Sequence, residues 1–148
     1  MKKIILYLIM ATSILGAQLK DGRYFVQEKE YIYGWASTAS MEIEEGKIVK
    51  ITTDKVNKKG ELASKNDWYN KEMFAKNKTN PKEFSIILPK NFIKGLKKDY
   101  ELKEVDFEMP KIDIIAGATD SSKSFKKMME FLVEKSKAGT TGKYKIKL

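Results

Sequence analysis

The chain contains neither histidine nor cysteine among its 148 residues. Without histidine it cannot build a Ser-His hydrolytic pair, and without cysteine it has no thiol chemistry, c-type haem attachment or disulfide framework. The same two absences exclude nearly all zinc sites. Chemistry by this protein therefore has to come largely from a bound cofactor, and its stability from ordinary packing.

Long apolar runs are also missing, except at the start of the chain. A positive region at residues 1–3 precedes an apolar segment, and small residues follow up to Ala17. This order is typical of a secretory signal peptide, whereas a membrane-spanning helix needs roughly 20 apolar residues. We therefore expect a signal peptide over residues 1–17 and an exported domain over residues 18–148, in the periplasm or cell envelope and peripheral to the membrane.

The formal charge of the chain is +9, and loss of Lys2 and Lys3 with the leader would lower it to +7. The remaining lysines are spread between acidic residues instead of forming one basic block, so we do not expect nucleic acid as a partner. A positive charge of this size favours contact with acidic proteins or anionic envelope polymers.

Strand patterns occupy the first part of the exported domain. Residues 23–26 are rich in strand formers, and apolar and polar residues alternate over 39–44. Glu45-Gly46 predicts a turn into a partner strand over 47–53, which together form an antiparallel hairpin. A second, polar turn is predicted at 57–60.

Helical patterns follow, and one more strand ends the chain. Apolar residues at 69, 73 and 74 predict a first helix, and a second is predicted after Pro81, kinked or split by Pro89. The clearest helical spacing is that of Phe125, Met128, Met129, Leu132 and Val133. Ser121 or Ser122 is expected to cap that helix, and residues 144–148 alternate as a final strand. Because strands and helices are segregated, we expect an α+β fold, an antiparallel sheet with flanking helices in a single domain.

A small-residue turn before the last helix offers the most chemistry. It begins at Asp113 and ends at Thr119, whose hydroxyl would lie beside a helix start, a natural anion site. Gly117 would let the backbone approach a ligand closely, and Asp113 would orient the turn or hold a metal while an ester forms. A tight connection that binds nothing is the alternative interpretation of the same residues.

This segment resembles the signature of the FMN-binding domain family. The matching pattern is Asp113-x-x-Ala116-Gly117-Ala118-Thr119-x-Ser121-Ser122, followed by Phe125-Lys126. Family members are small extracytoplasmic flavin carriers, related to flavin subunits of the sodium-pumping NADH:quinone reductase and of the Rnf complex. The chain is most similar to the single-domain proteins used in extracellular electron transfer. It departs at Ala116, a position usually held by serine or threonine, and it lacks the cysteine of a lipid anchor.

The resemblance implies a cofactor, a site and partners. FMN would be esterified to Thr119 by a Mg²⁺-dependent flavin transferase that uses FAD and releases AMP. The implied cofactor-binding residues are Asp113, Ala116, Gly117, Ala118, Thr119, Ser121 and Ser122. The protein would be an electron carrier, with no catalytic residues or resident metal of its own, between a membrane redox donor and an exported redox acceptor. A flavin-free envelope binding protein that retains the fold is the alternative.

Three aromatic residues are candidates for contact with the flavin ring. Trp35, Trp68 and Tyr69 have faces that can flank an isoalloxazine, although large aromatics more often serve in a core or on a surface.

Overall fold

The computed structural model describes residues 18–97, 99–102 and 106–148. Its strands are β1 (Gly22–Glu28), β2 (Ala36–Glu44), β3 (Lys47–Val56) and β4 (Gly142–Ile146). The α-helices are α1 (Asp67–Asn77), α2 (Pro81–Lys94) and α3 (Thr119–Ala138), and a short 3-10 turn covers Ala63–Lys65. This order of elements confirms the α+β class. The expected signal peptide lies outside the described residues.

The strands form one sheet in the order β3-β2-β1-β4. The β2–β3 hairpin and the β1–β2 pair are antiparallel, as expected, but β4 pairs with β1 in parallel. The parallel pairing arises because α3 runs back across the sheet before β4 begins. The Lys20 amide donates to the Ser136 carbonyl at 2.9 Å, which places the end of α3 beside the start of β1. A short turn then sends β4 in the same direction as β1.

The core lies between one face of the sheet and helices α2 and α3. Alternate residues of β2 point inward, and Ala39, Met41 and Ile43 are each at most 1% exposed. All five residues of the predicted apolar stripe of α3 are buried, as that spacing requires. The ring of Phe125 meets Phe92 of α2 edge to face, with centroids 6.4 Å apart. The alternation in the strands and the periodicity in α3 therefore identify the core correctly.

The other two helices differ from the sequence prediction in detail. The buried residue of α1 is the polar Asn70, while Phe74 is 45% exposed. The Asn70 side chain donates to the carbonyls of Ala63, Ser64 and Asn66, so it satisfies backbone groups around the 3-10 turn. Pro89 lies inside a single helix and does not split α2. Among the described residues, no helix is long and apolar enough to cross a membrane.

Candidate functional site

Thr119 is the first residue of α3 and is exposed to solvent. The expectation that Ser121 or Ser122 caps this helix is wrong, because the residue at the cap position is Ala118, three to four residues earlier. Alanine has no side-chain oxygen to accept a bond from the first backbone N–H groups. The other two α-helices do have such caps, since Asn66 and Asn80 accept bonds from the amides three residues ahead. The start of α3 is therefore open to an anionic group.

Ser122 fixes the turn that precedes Thr119. Its hydroxyl donates to the Ala118 carbonyl at 2.7 Å and accepts a bond from the Ile115 amide at 3.0 Å. The Ala118 amide in turn donates to the Ile115 carbonyl at 2.9 Å. Ser122 is only 2% exposed, so its hydroxyl is used within the protein. Ser121 is half-buried beside it.

Gly117 packs the same turn against the end of α1. Its backbone has a φ of +82°, a conformation that side chains rarely adopt, and a Cβ there would lie 2.0 Å from the Asn77 carbonyl oxygen. The sequence pattern had suggested that this glycine admits a ligand. The structure places the neighbouring chain segment there instead, and ties Thr119 to the α1–α2 connection.

The remaining residues of the motif differ in exposure. Ala118 is buried, whereas Ala116 and Asp113 are exposed in the loop before α3. In the described ranges, no group of three or more acidic side chains is placed to hold a metal ion. The structure thus brings Ala118, Thr119 and Ser122 together at the helix start and leaves Asp113 further back along the loop.

Two of the three candidate aromatics form a pair. The rings of Trp35 and Tyr69 lie 5.0 Å apart at an interplanar angle of 34°. Burial raises the pKa of the Tyr69 phenol. Trp68 is 70% exposed and lies outside this pair. Trp35 immediately precedes β2, so the pair lies at the end of the sheet where β1 finishes and β2 begins.

A charged row crosses the inner face of the sheet at this same end. It consists of Glu28 on β1, Ser37 on β2 and Lys55 on β3. Burial lowers the pKa of the Lys55 ammonium, and the carboxylates of Glu28 and Asp120 partly offset that shift. The sequence reasoning missed this row. The alternation of β3, in which Ile51, Thr53 and Lys55 face the same way, was the signal that could have revealed it.

A groove of about 450 Å³ lies elsewhere, on the outer face of the sheet. Its lining residues include Arg23, Phe25, Glu42, Lys50 and Thr52. These side chains point away from α3, because they alternate with the inward-facing residues of their strands. The groove does not include Thr119, so the candidate site is an open surface at a helix start and not this cavity.

Comparison with known proteins identifies the family. A family model described as the FMN-binding domain matches residues 33–134, and the chain therefore belongs to the FMN-binding domain family. FMN is its cofactor. The crystal structure of the CPE2226 protein from Clostridium perfringens is similar, with 26% identity and a TM-score of 0.73 over 88% of this chain and 99% of that one. The search of curated proteins found no match.

The residues at the start of α3 fit such a cofactor. An exposed hydroxyl on an uncapped helix start suits an anionic phosphate, since the N-terminal amides carry partial positive charge. Lys55 adds a cation at the same end of the sheet, and the Asp120 carboxylate acts to raise its pKa. The Trp35–Tyr69 pair supplies aromatic surface of the kind that a flavin ring contacts.

Proposed function

We propose that this protein is an exported electron-transfer flavoprotein whose FMN is esterified to Thr119. The observation that carries the proposal is that Thr119, the residue with the hydroxyl, is exposed at a helix start without a side-chain cap. The turn that holds it is fixed on both sides, by the hydrogen bonds of Ser122 and by the close packing of Gly117 on Asn77. A fixed and accessible nucleophile is what a modifying enzyme requires.

The attachment is a phosphoryl transfer in which Thr119 is the acceptor. The Thr119 hydroxyl gives up its proton, and its oxygen bonds to the flavin-side phosphorus of FAD. The phosphorus–oxygen bond to AMP breaks, and AMP leaves. A separate Mg²⁺-dependent transferase supplies the catalytic groups. The nearby Ser122 does not compete, because its hydroxyl is buried and engaged in two hydrogen bonds.

The chain itself acts as a carrier and not as an enzyme. When bound, FMN supplies the redox chemistry, while the protein supplies position and electrostatics. We propose a membrane redox donor and an exported redox acceptor as partners. A charge of +7 without Lys2 and Lys3 supports association with an acidic partner. Membership of the FMN-binding domain family supports this function over a flavin-free envelope protein.

The central test removes the hydroxyl at position 119. Thr119→Val keeps the shape of the side chain but leaves no oxygen to form the ester. After co-expression with the transferase, flavin fluorescence on a denaturing gel and intact mass should show one FMN on the unsubstituted chain and none on this variant. Thr119→Ser should retain the flavin. Thr140→Val, an exposed threonine beyond the other end of α3, is the matched control. Undiminished fluorescence from Thr119→Val would overturn the proposal.

Export is tested separately, on protein recovered from the cell envelope. Cleavage after Ala17 gives Gln18 as the mature N-terminus, since small residues precede it next to the apolar segment. N-terminal sequencing measures this directly. A chain that still begins at Met1 would argue against a soluble exported carrier, with no effect on the flavin assignment.

A further inference from the structure

We propose that the Lys55 ammonium contacts the phosphate of FMN and strengthens the non-covalent binding of FMN relative to riboflavin, which lacks that phosphate. The assignment deepens the proposed function, because it takes the phosphate to lie beside Thr119. It names a residue on β3, far in sequence from the turn that carries the threonine.

Lys55 lies on the inner face of the sheet, the face covered by the helices. Lys55 is opposite Ser37 in the β2–β3 register, and the Ser37 amide donates to Glu28 Oε1 at 3.2 Å. Each of these residues lies two positions along its strand from an inward-facing residue, namely Val26 on β1, Ala39 on β2 and Thr53 on β3, and so faces the same side of the sheet. Glu28 and Ser37 are 8% and 6% exposed, so this row faces the helix layer. The side chain of Lys55 therefore projects toward the helices and not toward the outer face.

The start of α3 lies at the same end of the sheet as that row. The C-terminal end of α3 is held at the start of β1 by the bond from the Lys20 amide to the Ser136 carbonyl. The helix α3 contacts both β1 and β2. Since it runs back over these strands from that anchor, its N-terminal end lies toward the end of β1, the end that carries Glu28. The electrostatic influence of Asp120 on Lys55 agrees with this placement. Asp120 directly follows Thr119, so Lys55 and the proposed attachment point lie at the same end of the sheet.

Two acidic side chains and one ammonium determine the charge at this end of the sheet. Glu28 and Asp120 are both anionic, and either one would repel a phosphate. The Glu28 carboxylate already accepts the Ser37 amide, and Asp120 is exposed to water, which screens its charge. Lys55 is more buried, and charges interact more strongly where the dielectric constant is low. An ammonium in that position offsets Asp120 and binds the phosphate.

The test compares two flavins that differ only in the phosphate. In a Thr119→Val background, which prevents covalent attachment, FMN and riboflavin are each titrated by quenching of flavin fluorescence. Lys55→Met should weaken FMN binding about 10- to 100-fold, the range expected for a hydrogen bond to a charged group, and leave riboflavin unchanged. Lys55→Arg should retain most of the preference. Asp120→Asn should change FMN affinity in the opposite direction, since it removes a repelling charge.

Lys50→Met is the matched control, on the same strand but exposed on the outer face, and both affinities should stay within about twofold, as for an exposed site. Equal weakening of both flavins by Lys55→Met would mean a structural role and would overturn the assignment. So would an unchanged preference for FMN, or failure of the Thr119→Val protein to bind FMN at all. If the unsubstituted chain carries covalent FMN but Lys55→Met leaves the preference for FMN over riboflavin unchanged, only the role of Lys55 is rejected. If Lys55→Met abolishes that preference but no covalent FMN is found on the unsubstituted chain, only the ester at Thr119 is rejected.

Discussion

The two ends of α3 are built differently. At the C-terminal end, Gly139 adopts a left-handed conformation and its amide donates to the carbonyls of Lys135 and Ser136, while Lys20 donates to Ser136 from outside the helix. At the N-terminal end no side chain caps the helix, Thr119 is exposed, and the sheet row nearby is polar. The protein satisfies one end itself and leaves the other open to a partner group.

Under the proposed function, one helix serves both stability and the attachment of FMN. The apolar stripe in its middle anchors α3 to the sheet, so that the open end is held by the packing further along. A site on a helix packed in this way is more precise than a site on a loop. Substitutions in the apolar stripe, in the turn before Thr119 and in the charged row should therefore change stability by different amounts and for different reasons.

The largest effect is expected in the apolar stripe. Phe125 is fully buried and meets Phe92 edge to face. Phe125→Ala should lower the free energy of unfolding by about 3–5 kcal/mol, through lost transfer energy and a cavity. Chemical denaturation measures this loss. Phe74→Ala, at a position 45% exposed on α1, is the control and should cost far less. Similar losses for both would contradict the assignment of Phe125 to the core.

The turn before Thr119 should be the next most sensitive region. Gly117 and Gly60 share a φ of +82°, but only at Gly117 does an added Cβ meet another atom within 4 Å. Gly60→Ala should cost about 1–2 kcal/mol from backbone strain alone. Gly117→Ala should cost about 1–3 kcal/mol more from overlap with Asn77, and should also reduce covalent flavin. Equal destabilisation, read from thermal melts of both variants, would show that the close packing at Gly117 is unimportant.

A smaller difference should separate two buried serines of α3. Ser122 bonds both Ala118 and the amide of Ile115 outside the helix, whereas the Ser136 hydroxyl bonds only Val133 within it. Ser122→Ala should cost about 1–3 kcal/mol because the Ile115 amide loses its partner. Ser136→Ala should cost about 1 kcal/mol or less, as for a typical hydrogen bond. If Ser136→Ala proved the more damaging, the helix start would be less dependent on Ser122 than its contacts indicate. Unfolding in urea, monitored by circular dichroism, distinguishes these outcomes.

The smallest expected effect is the pH dependence of stability that arises from Lys55 in the charged row. Burial lowers the pKa of Lys55 below its ordinary value of 10.5, with Glu28 and Asp120 acting against that shift. The unfolded chain therefore binds more protons between the lowered pKa and 10.5, so Lys55 contributes more stability as pH rises through that window. The stability of the unsubstituted protein minus that of Lys55→Met should increase from pH 8 to pH 10. A difference that falls over this range would contradict burial as the dominant cause.

Local patterns predicted much of this molecule, because they depend on residues close in sequence. Alternation located the strands and periodicity located α3, while the motif singled out Thr119, whose role as the attachment point stays a prediction. The start of α3 was misplaced because serine is a better cap than Ala118, and only the contacts of Ser122 show that its hydroxyl is used elsewhere. Lys55 was missed because its relation to Asp120 depends on how α3 lies across the sheet. The neighbour of Gly117 was missed for the same reason.

The parallel pairing of β4 with β1 also governs how the chain folds. Residues 22–28 lie beside residues 142–146, so the sheet is completed by the last strand to be synthesised. The chain loses conformational entropy when so long a loop closes, before the contacts between β1 and β4 can stabilise it. Pairings between segments this far apart in sequence therefore slow folding. Until β4 arrives, the side of β1 that it covers remains an unpaired edge able to attract other strands. The complete native sheet cannot form on a nascent chain before β4 is available, so this side of β1 stays unpaired through most of synthesis.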